Sequence, residues 1–337
     1  MNSLIELSES IGNVYIGNNI KKTFYTPEEI EISFDYNSSR VVYNEKKDNP
    51  IDLTSFNNTL VFNLDFNYYH FLIDQLSFLL IELIKNNNLQ VVFFTNNKIQ
   101  NYMDYVFEKL EKYNINFYLF ILESNESIKV NNYYIYNREN FNFNNQIEID
   151  SLLVSNFLKE NKEIKPSRKV YISRKFQDKK WQNSNNYFLK TKNDYFEYKK
   201  SNYVNYRMDN YKYLEDFFEK YNFEIIDNIN EFYAFSENFI DQINFFNEVK
   251  TLISVTGAGL TNAIFMQKDT NVLELATPFN EETFEEKIKY QDINSYYFEL
   301  CCNLNINYFG ISNLQKNALI IEEKFLKNPY LFNILNN

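Results

Sequence analysis

Short apolar runs alternate along this chain with longer segments whose apolar residues recur at helical spacing. Residues 59–64 (TLVFNL) are the clearest run and predict a buried strand. Residues 68–85 follow, with Phe71, Leu72, Leu76 and Leu79 on one face, and predict a helix. The same reasoning predicts further strands at 13–16, 41–43, 89–95, 116–122 and 130–136, and further helices at 99–113 and 147–161.

A charged, proline-bearing break at 162–167 separates this series from a second one, and we place a domain boundary there. The predicted domains are 1–165 and 166–312, followed by a helical tail, 313–337. One possible course for this tail is to cross back and pack on the first domain. Strands that alternate with helices imply mainly parallel sheets covered on both faces, and therefore an α/β fold. The second series predicts strands at 169–173, 224–226, 252–255, 271–275 and 308–310, and helices at 211–221, 239–250, 260–266 and 295–304.

The turn Gly257-Ala258-Gly259 joins the strand predicted at 252–255 to the helix predicted at 260–266. A glycine turn at a helix start aims backbone N–H groups at one place, which suits a phosphate. Alternatively, the glycines only let the helix pack close to the strand. The dinucleotide-binding fingerprint is incomplete, because Asn262 stands where its third glycine would be.

His70 and Asp74 lie four residues apart near the start of the helix predicted at 68–85, so they share one helix face. A histidine just beyond a strand end, with a carboxylate one turn later, is well placed to act as an oriented general base. The alternative is a partly buried histidine that a convenient carboxylate stabilises.

Three arginines accompany the second series: Arg168, Arg174 and Arg207. Arg174 closes the strand predicted at 169–173, so it is expected at the carboxyl edge of the second sheet. An arginine there can clamp a phosphate. Each arginine could equally be a surface cation or the partner of a carboxylate.

Composition excludes several functions. The net charge of −11 argues against nucleic acid and anionic membrane surfaces as partners. One histidine and the lack of a Cys-x-x-Cys pair argue against a zinc site, and there is no Asp-x-Asp to hold a divalent ion on a diphosphate. There is no signal-like start and no apolar run of about 18 residues, so we expect a cytoplasmic protein without a membrane segment. Nothing here indicates the oligomeric state.

Several segments together resemble glycosyltransferase family 61. NYYHFLID at 67–74 is similar to the family motif N-(Y/F/W)-x-H-(W/F)-L-x-D, and SRKVYISR at 167–174 is similar to its R-(K/R)-(I/V)-Y-I-S-R strand. GAGLTN at 257–262, followed by Glu274, is the most specific part, and Gln242 stands in place in a further family helix. The resemblance is ordered and runs from about residue 59 to about residue 310.

The resemblance implies an inverting transferase of the GT-B fold, with two Rossmann-like α/β domains that face a central cleft. It implies transfer of xylose, N-acetylglucosamine, arabinose or a similar sugar from a UDP-sugar to a hydroxyl of a glycan or protein. No cofactor and no metal are expected. The chain departs from the family where Thr256 replaces a histidine and where an insert separates Arg174 from Arg207.

The resemblance also implies roles for particular residues. His70 on the first domain is expected to be the catalytic base, oriented by Asp74, and Asp74 as the base itself is an alternative. Glu274 is expected to hold the ribose hydroxyls, unless it caps a helix. The donor is expected on the second domain, at Arg174, Arg207, Thr256, Gly257, Ala258, Gly259, Leu260, Thr261, Asn262 and Glu274.

Three other functional classes stay open at this stage. A catalytically weak or inactive sugar-nucleotide-binding protein would fit the change to Thr256. A GT-B-like sugar-nucleotide isomerase or epimerase would need no separate acceptor. A nicotinamide-dependent oxidoreductase is disfavoured by the incomplete glycine fingerprint.

Overall fold

The computed structural model describes residues 23–26, 30–35, 40–43, 47–56, 58–86, 88–131, 133–136, 150–159, 164–173, 211–226, 238–276, 296–312 and 334–335. The chain divides into two compact units, Met1–Glu160 and Asn161–Asn337. Both units contain a mainly parallel sheet, so the predicted α/β class is confirmed. The strand predicted at 13–16 and the insert between Arg174 and Arg207 lie outside the described residues, as does the predicted tail apart from Ile334 and Leu335.

The main sheet of the first unit has the order β7-β6-β5-β9-β1. Its parallel strands therefore run third, second, first, fourth in chain order, as in a Rossmann half, and β1 is an antiparallel edge strand. The order reverses between β5 and β9, and ligands of such sheets bind where the strand order reverses, beyond the carboxyl ends of the strands. The strands of this unit are β1 Thr23–Thr26, β2 Ile30–Asp35, β3 Arg40–Tyr43, β4 Asn49–Leu53, β5 Thr59–Asn63, β6 Gln90–Thr95, β7 Phe117–Ile121, β8 Glu126–Val130 and β9 Tyr133–Tyr136.

Two helices cover one face of this sheet, and a third packs against both of them. They are α1, which comprises His70–Gln75 and Leu76–Lys85, α2 Asn101–Lys112 and α3 Ser151–Leu158. Aromatic side chains form this contact: Phe62 of β5 lies 5.9 Å from Phe78 of α1, and Phe93 of β6 lies 5.1 Å from Phe107 of α2, measured between ring centroids.

A second, mixed sheet of order β3-β2-β8-β4 covers the other face. Ile32 and Ile128 from this sheet share one apolar core with Val61 and Val92 from the main sheet. The strands predicted from sequence do not include β2 and β4, and the one strand predicted at 130–136 corresponds to parts of two strands, β8 and β9. That prediction was wrong because the chain passes from one sheet to the other at Asn131-Asn132, a turn-favouring pair that the predicted strand includes.

The sheet of the second unit is parallel throughout, with the order β11-β10-β12-β13-β14. This is the doubly wound order second, first, third, fourth, fifth, and its switch point lies between β10 and β12. The elements are β10 Arg168–Ile172, α4 Tyr211–Glu219, β11 Glu224–Ile226, α5 Phe239–Asn247, β12 Val249–Val255, a 3₁₀ helix Ala258–Phe265, β13 Asn271–Ala276, α6 Tyr296–Asn303 and β14 Asn307–Ser312.

One face of this sheet packs against α4. Tyr171, Ile253 and Leu273 from the strands share a core with Leu214 and Phe218 of α4. Leu335 belongs to the same core, and its carbonyl oxygen accepts a hydrogen bond of 2.7 Å from Nζ of Lys169. The described residues near the end of the chain therefore pack on the second unit.

Two predicted helices of the second unit differ from the structure. The helix predicted at 239–250 ends at Asn247, because Val249 already opens β12 as part of a long buried run. The segment predicted as a helix at 260–266 begins earlier, at Ala258, and is a 3₁₀ helix. Across the described ranges, no helix is both long and apolar enough to cross a membrane.

Candidate active site

The motif that contains His70 directly follows β5, at the switch point of the first sheet. Asn67 begins the helix: its side-chain Oδ1 accepts a 3.1 Å hydrogen bond from the backbone N–H of Tyr69. Asn67 is itself fixed, since its backbone N–H donates to Oδ1 of Asp65 at 2.8 Å. Local side-chain bonds of this kind stop the strand and start the helix within a few residues. His70 therefore lies close beyond the carboxyl end of β5.

His70 and Asp74 form the pair that the sequence predicts. Nδ1 of His70 lies 2.6 Å from Oδ2 of Asp74, and the side chains are 20% and 12% exposed. A proton on Nδ1 is donated to the carboxylate in this arrangement, which places the basic lone pair on Nε2. The geometry is therefore that of an imidazole whose tautomer and orientation are set by a carboxylate.

The helix turn that carries this pair is a π-helix, His70–Gln75, in which the N–H of Leu76 donates to the carbonyl of Phe71. A π turn closes with an i→i+5 bond and holds more residues than an α turn, so His70 and Asp74 stay on one face. Short π segments inside helices occur frequently at functional sites.

Gln75 fastens this helix to the strand before it. Its Nε2 donates to the carbonyl oxygen of Asn63 at 2.6 Å, and its Oε1 accepts from the N–H of Asp65 at 3.0 Å. Gln75 is buried, and both of its polar ends are used. In the sequence, Gln75 stands at helical spacing among the apolar residues of α1, and this spacing does not identify its partners. A glutamine among apolar helix positions was nevertheless a usable signal, because a buried amide needs hydrogen-bond partners.

Replacing Gln75 by leucine is expected to lower the free energy of unfolding by about 1–3 kcal/mol, because it leaves the carbonyl of half-buried Asn63 without its donor. Urea unfolding monitored by circular dichroism measures this change. Gln100→Leu is the matched control, since Gln100 is exposed and should change stability by less than about 0.5 kcal/mol. Equal stabilities of the two variants would show that Gln75 does not fasten the helix.

The glycine turn lies at the switch point of the second sheet, directly after β12. Gly257 has φ 156° and ψ 177°, a conformation that is essentially restricted to glycine. The N–H of Leu260 donates to the carbonyl of Gly257 at 3.0 Å and opens the 3₁₀ helix. The N–H groups of Ala258 and Gly259 precede this bond, so the helix itself offers them no acceptor. Such groups can bind an anion.

The two glycines have different tasks. A Cβ atom on Gly259 would lie 3.4 Å from side-chain carbons of Ile172 and 3.5 Å from Oγ of Ser254, so this glycine brings the helix close to β10 and β12. At these distances a methyl group on Gly259 would make ordinary van der Waals contacts, whereas Gly257 is required by the conformation of the turn. Residues 256–259 are half-buried, but Leu260, Thr261 and Asn262 are buried. Within GAGLTN, only Gly257, Ala258 and Gly259 are therefore accessible to a ligand.

Asn262 stabilises the turn from within the core. Its Nδ2 donates to the carbonyl of Gly259 at 2.9 Å, and its Oδ1 accepts a 2.6 Å hydrogen bond from Nε2 of Gln242 on α5. Both side chains are buried. Asn262, predicted as a donor-site residue, is therefore placed as a support for the turn, and Gln242 holds it.

Glu274 lies within β13 and is only 2% exposed. Its Oε1 accepts a 2.6 Å hydrogen bond from Oγ1 of Thr256, and its Oε2 accepts a 2.6 Å bond from the hydroxyl of Tyr308. Glu274 thus joins the residue before the glycine turn to β14. A ribose hydroxyl would have to reach a carboxylate that is nearly fully buried and whose oxygens each already accept one of these bonds. Both of these bonds come from side-chain hydroxyls, whereas a helix-capping carboxylate would accept from backbone N–H groups at a helix start.

The arginines separate into two groups. Arg168 lies at the beginning of β10, away from the carboxyl edge, and donates to both carboxylate oxygens of Glu224 at 2.9 and 2.7 Å. These hydrogen bonds raise the pKa of Arg168, which is a structural cation. Arg174 and Arg207 lie outside the described residues. At the end of β10, Oγ of Ser173 donates to Oε1 of buried Glu215 at 2.9 Å.

Within the described part of the chain, no group of three or more histidine, cysteine, aspartate or glutamate side chains is arranged to hold a metal ion. The described candidate residues thus comprise the imidazole–carboxylate pair on the first unit and the glycine turn with its supports on the second.

Parallel sheets with polar motifs at their switch points define an α/β protein with ligand-binding sheet edges. Residues 68–273, more than half of the chain, match the family Glycosyltransferase 61. The chain therefore belongs to glycosyltransferase family 61 and is a glycosyltransferase, an enzyme that uses a nucleotide-sugar donor and an acceptor. The matched stretch contains His70, Asp74 and the glycine turn, and it ends one residue before Glu274. No curated protein matches the chain.

Proposed function

We propose that this enzyme transfers a sugar, such as xylose or N-acetylglucosamine, from a UDP-sugar to a hydroxyl of a glycan or protein. The proposed reaction is a single inverting displacement in which the acceptor oxygen attacks the anomeric carbon and UDP leaves. The proposal includes the GT-B arrangement and a reaction without a metal ion. Family membership supports the transferase class, and the geometry of the two motifs supports the division of roles.

The observation that carries the proposal is the 2.6 Å contact between Nδ1 of His70 and Oδ2 of Asp74. An attacking hydroxyl must lose a proton as its oxygen bonds to the sugar, and a positioned base speeds such a step by roughly 10²–10⁴-fold. With Nδ1 engaged by the carboxylate, Nε2 is the nitrogen that accepts the proton. The imidazolium that forms is then stabilised by Asp74.

The donor diphosphate is assigned to the glycine turn. UDP leaves with additional negative charge, and backbone N–H groups of Ala258 and Gly259 at the start of a helix stabilise charge at that place. Arg174 and Arg207 belong to the same proposal as the charged contacts that replace a metal. Arg174 directly follows Ser173, whose hydroxyl bond to Glu215 fixes the end of β10 beside the turn.

A direct test measures release of UDP from a panel of UDP-sugars, with water and with glycan or peptide acceptors. Slow hydrolysis of one UDP-sugar, accelerated by an acceptor and giving a product of inverted anomeric configuration, is the expected result. Binding of UDP without any turnover would instead favour the catalytically inactive alternative, which the replacement of the family histidine by Thr256 makes a specific candidate.

The transfer rate is expected to be unchanged by an excess of EDTA. In this proposal arginines and backbone N–H groups stabilise the charge of the leaving diphosphate, so the reaction does not depend on divalent ions. The measurement compares UDP release with and without the chelator after dialysis. Activity that EDTA abolishes and manganese restores would contradict the metal-free reaction.

A further inference from the structure

The carboxylate of Glu274 joins the glycine turn to the last strand of the second sheet. Glu274 is directly opposite Ser254 of β12 on one side and Gly310 of β14 on the other. Thr256 lies two residues beyond Ser254, and its hydroxyl donates to Oε1 of Glu274 at 2.6 Å. Thr256 is also the residue directly before Gly257.

Tyr308 reaches the same carboxylate from the other side. It lies two residues before Gly310 on β14, on the same face of the strand. A Cβ atom on Gly310 would lie 3.3 Å from the hydroxyl oxygen of Tyr308, so the missing side chain leaves the space in which the tyrosine ring lies. Through this space the hydroxyl donates to Oε2 of Glu274 at 2.6 Å.

These contacts use both carboxylate oxygens of a nearly fully buried side chain. Two hydroxyl donors at 2.6 Å stabilise a buried anion without neutralising it. The nearby thiol of Cys301 adds no second charge, since burial, together with its neighbours Cys302 and Glu274, raises the pKa of that thiol well above its usual range. The single proton of Thr256 is committed to Glu274, so this hydroxyl cannot at the same time donate to a phosphate.

We infer that Glu274 is a positioning residue that fixes the Gly257 turn for the donor diphosphate through Thr256, and that Tyr308 holds Glu274 in place. In this role Glu274 acts from beneath the turn and does not contact the ribose. The inference rests on the proposed function, because it presumes that the turn binds a diphosphate. It also gives Thr256 a role that needs only its hydroxyl, so the positive charge that the family histidine could carry at this position is not required.

The test measures binding of UDP, 2′-deoxy-UDP, inorganic pyrophosphate and uridine by calorimetry. Tyr308→Phe and Thr256→Val each remove one hydroxyl with little change in shape. We expect each variant to lower the affinity for UDP, 2′-deoxy-UDP and pyrophosphate by about 10-fold, because one hydrogen bond to a charged group is lost beside the diphosphate. The affinity for uridine should stay unchanged. Thr256→Ser, which keeps the hydroxyl, should bind like the wild type.

Tyr105→Phe is the matched control for stability. Tyr105 lies in the first unit, and its buried hydroxyl donates to the carbonyl of Leu158 at 2.9 Å. Tyr105→Phe and Tyr308→Phe should lower the melting temperature to a similar extent. Tyr105→Phe should leave the affinities for all four ligands unchanged.

Each other outcome has a distinct meaning. If Glu274→Gln lowers the affinity for UDP but not the affinity for 2′-deoxy-UDP, Glu274 contacts the ribose and the inference is wrong. If Tyr308→Phe and Thr256→Val bind pyrophosphate like the wild type, the hydrogen bonds of Glu274 support only the fold, and the inference is again wrong. If the wild-type protein binds neither UDP nor pyrophosphate, the proposed function fails, and the inference fails with it.

Discussion

His70→Ala is expected to lower the transfer rate by roughly 10²–10⁴-fold, the usual contribution of a positioned base. The affinity for UDP should stay unchanged, because the nucleotide is assigned to the second unit and the imidazole to the first. UDP release from the best donor measures the rate, and calorimetry measures the affinity. The melting temperature should change little, since the side chain of His70 is 20% exposed and its described hydrogen bond is local to α1.

Asp74→Asn should lower the rate in a similar way if Asp74 orients His70. The helix survives this change, but the imidazole loses its charged partner and the imidazolium its stabilisation. Asp150→Asn is the matched control, because Asp150 is a helix-capping carboxylate of the same unit whose Oδ1 accepts from the N–H of Leu153. Asparagine caps helices equally well, so that variant should keep full activity.

The two variants separate the interpretations of this pair. Full activity of His70→Ala together with an inactive Asp74→Asn would make Asp74 the base. A histidine with only a structural role predicts a lowered melting temperature and a loss of activity that follows unfolding. If both variants stay fully active, the first unit does not supply the base.

The strands that position both motifs could be predicted from sequence, because the buried strands of a parallel sheet have nearly continuous apolar runs. This holds for β5 and β6 in the first unit and for β12 and β13 in the second. The sheet order could not be predicted in this way, since it depends on which strands pair across the chain. It is this order, with its reversals beside β5 and between β10 and β12, that places the two motifs at switch points.

The second sheet of the first unit was only partly predictable. Residues 30–35 (IEISFD) alternate strictly between apolar and polar, so the pattern of a half-buried strand was present for β2. By contrast, β4 begins with Asn-Pro, a combination that is typical of turns. Its parallel pairing with β8 brings together residues far apart in the chain.

The supports of the glycine turn show a further limit of sequence patterns. Glu274 was flagged by resemblance, but Tyr308 was not, because their contact spans 34 residues and depends on the register of β13 with β14. Gln242 likewise reaches Asn262 across 20 residues. A spacing pattern reports residues that share a helix face or a strand face, and it carries no information on contacts between elements.

The last prediction concerns the turn itself and compares its two glycines. Gly257→Ala is expected to destabilise the folded protein by about 1–3 kcal/mol, because the conformation at φ 156° and ψ 177° is strained for any residue with a side chain. It should also strongly lower the affinity for UDP and pyrophosphate, since any relaxation of the turn changes the direction of the N–H groups of Ala258 and Gly259. Calorimetry on variants that circular dichroism shows to be folded measures this loss.

Gly259→Ala is the matched control, two residues after Gly257 in the same turn. The added methyl group would be in ordinary van der Waals contact with Ile172 and Ser254, so the protein should fold and bind UDP much like the wild type. The two interpretations of the Gly-Ala-Gly segment then predict different results. If the turn binds the diphosphate, Gly257→Ala loses affinity and Gly259→Ala keeps it. If the glycines only allow close packing, Gly257→Ala lowers stability but the folded fraction binds UDP with unchanged affinity, and the nucleotide must then be held elsewhere.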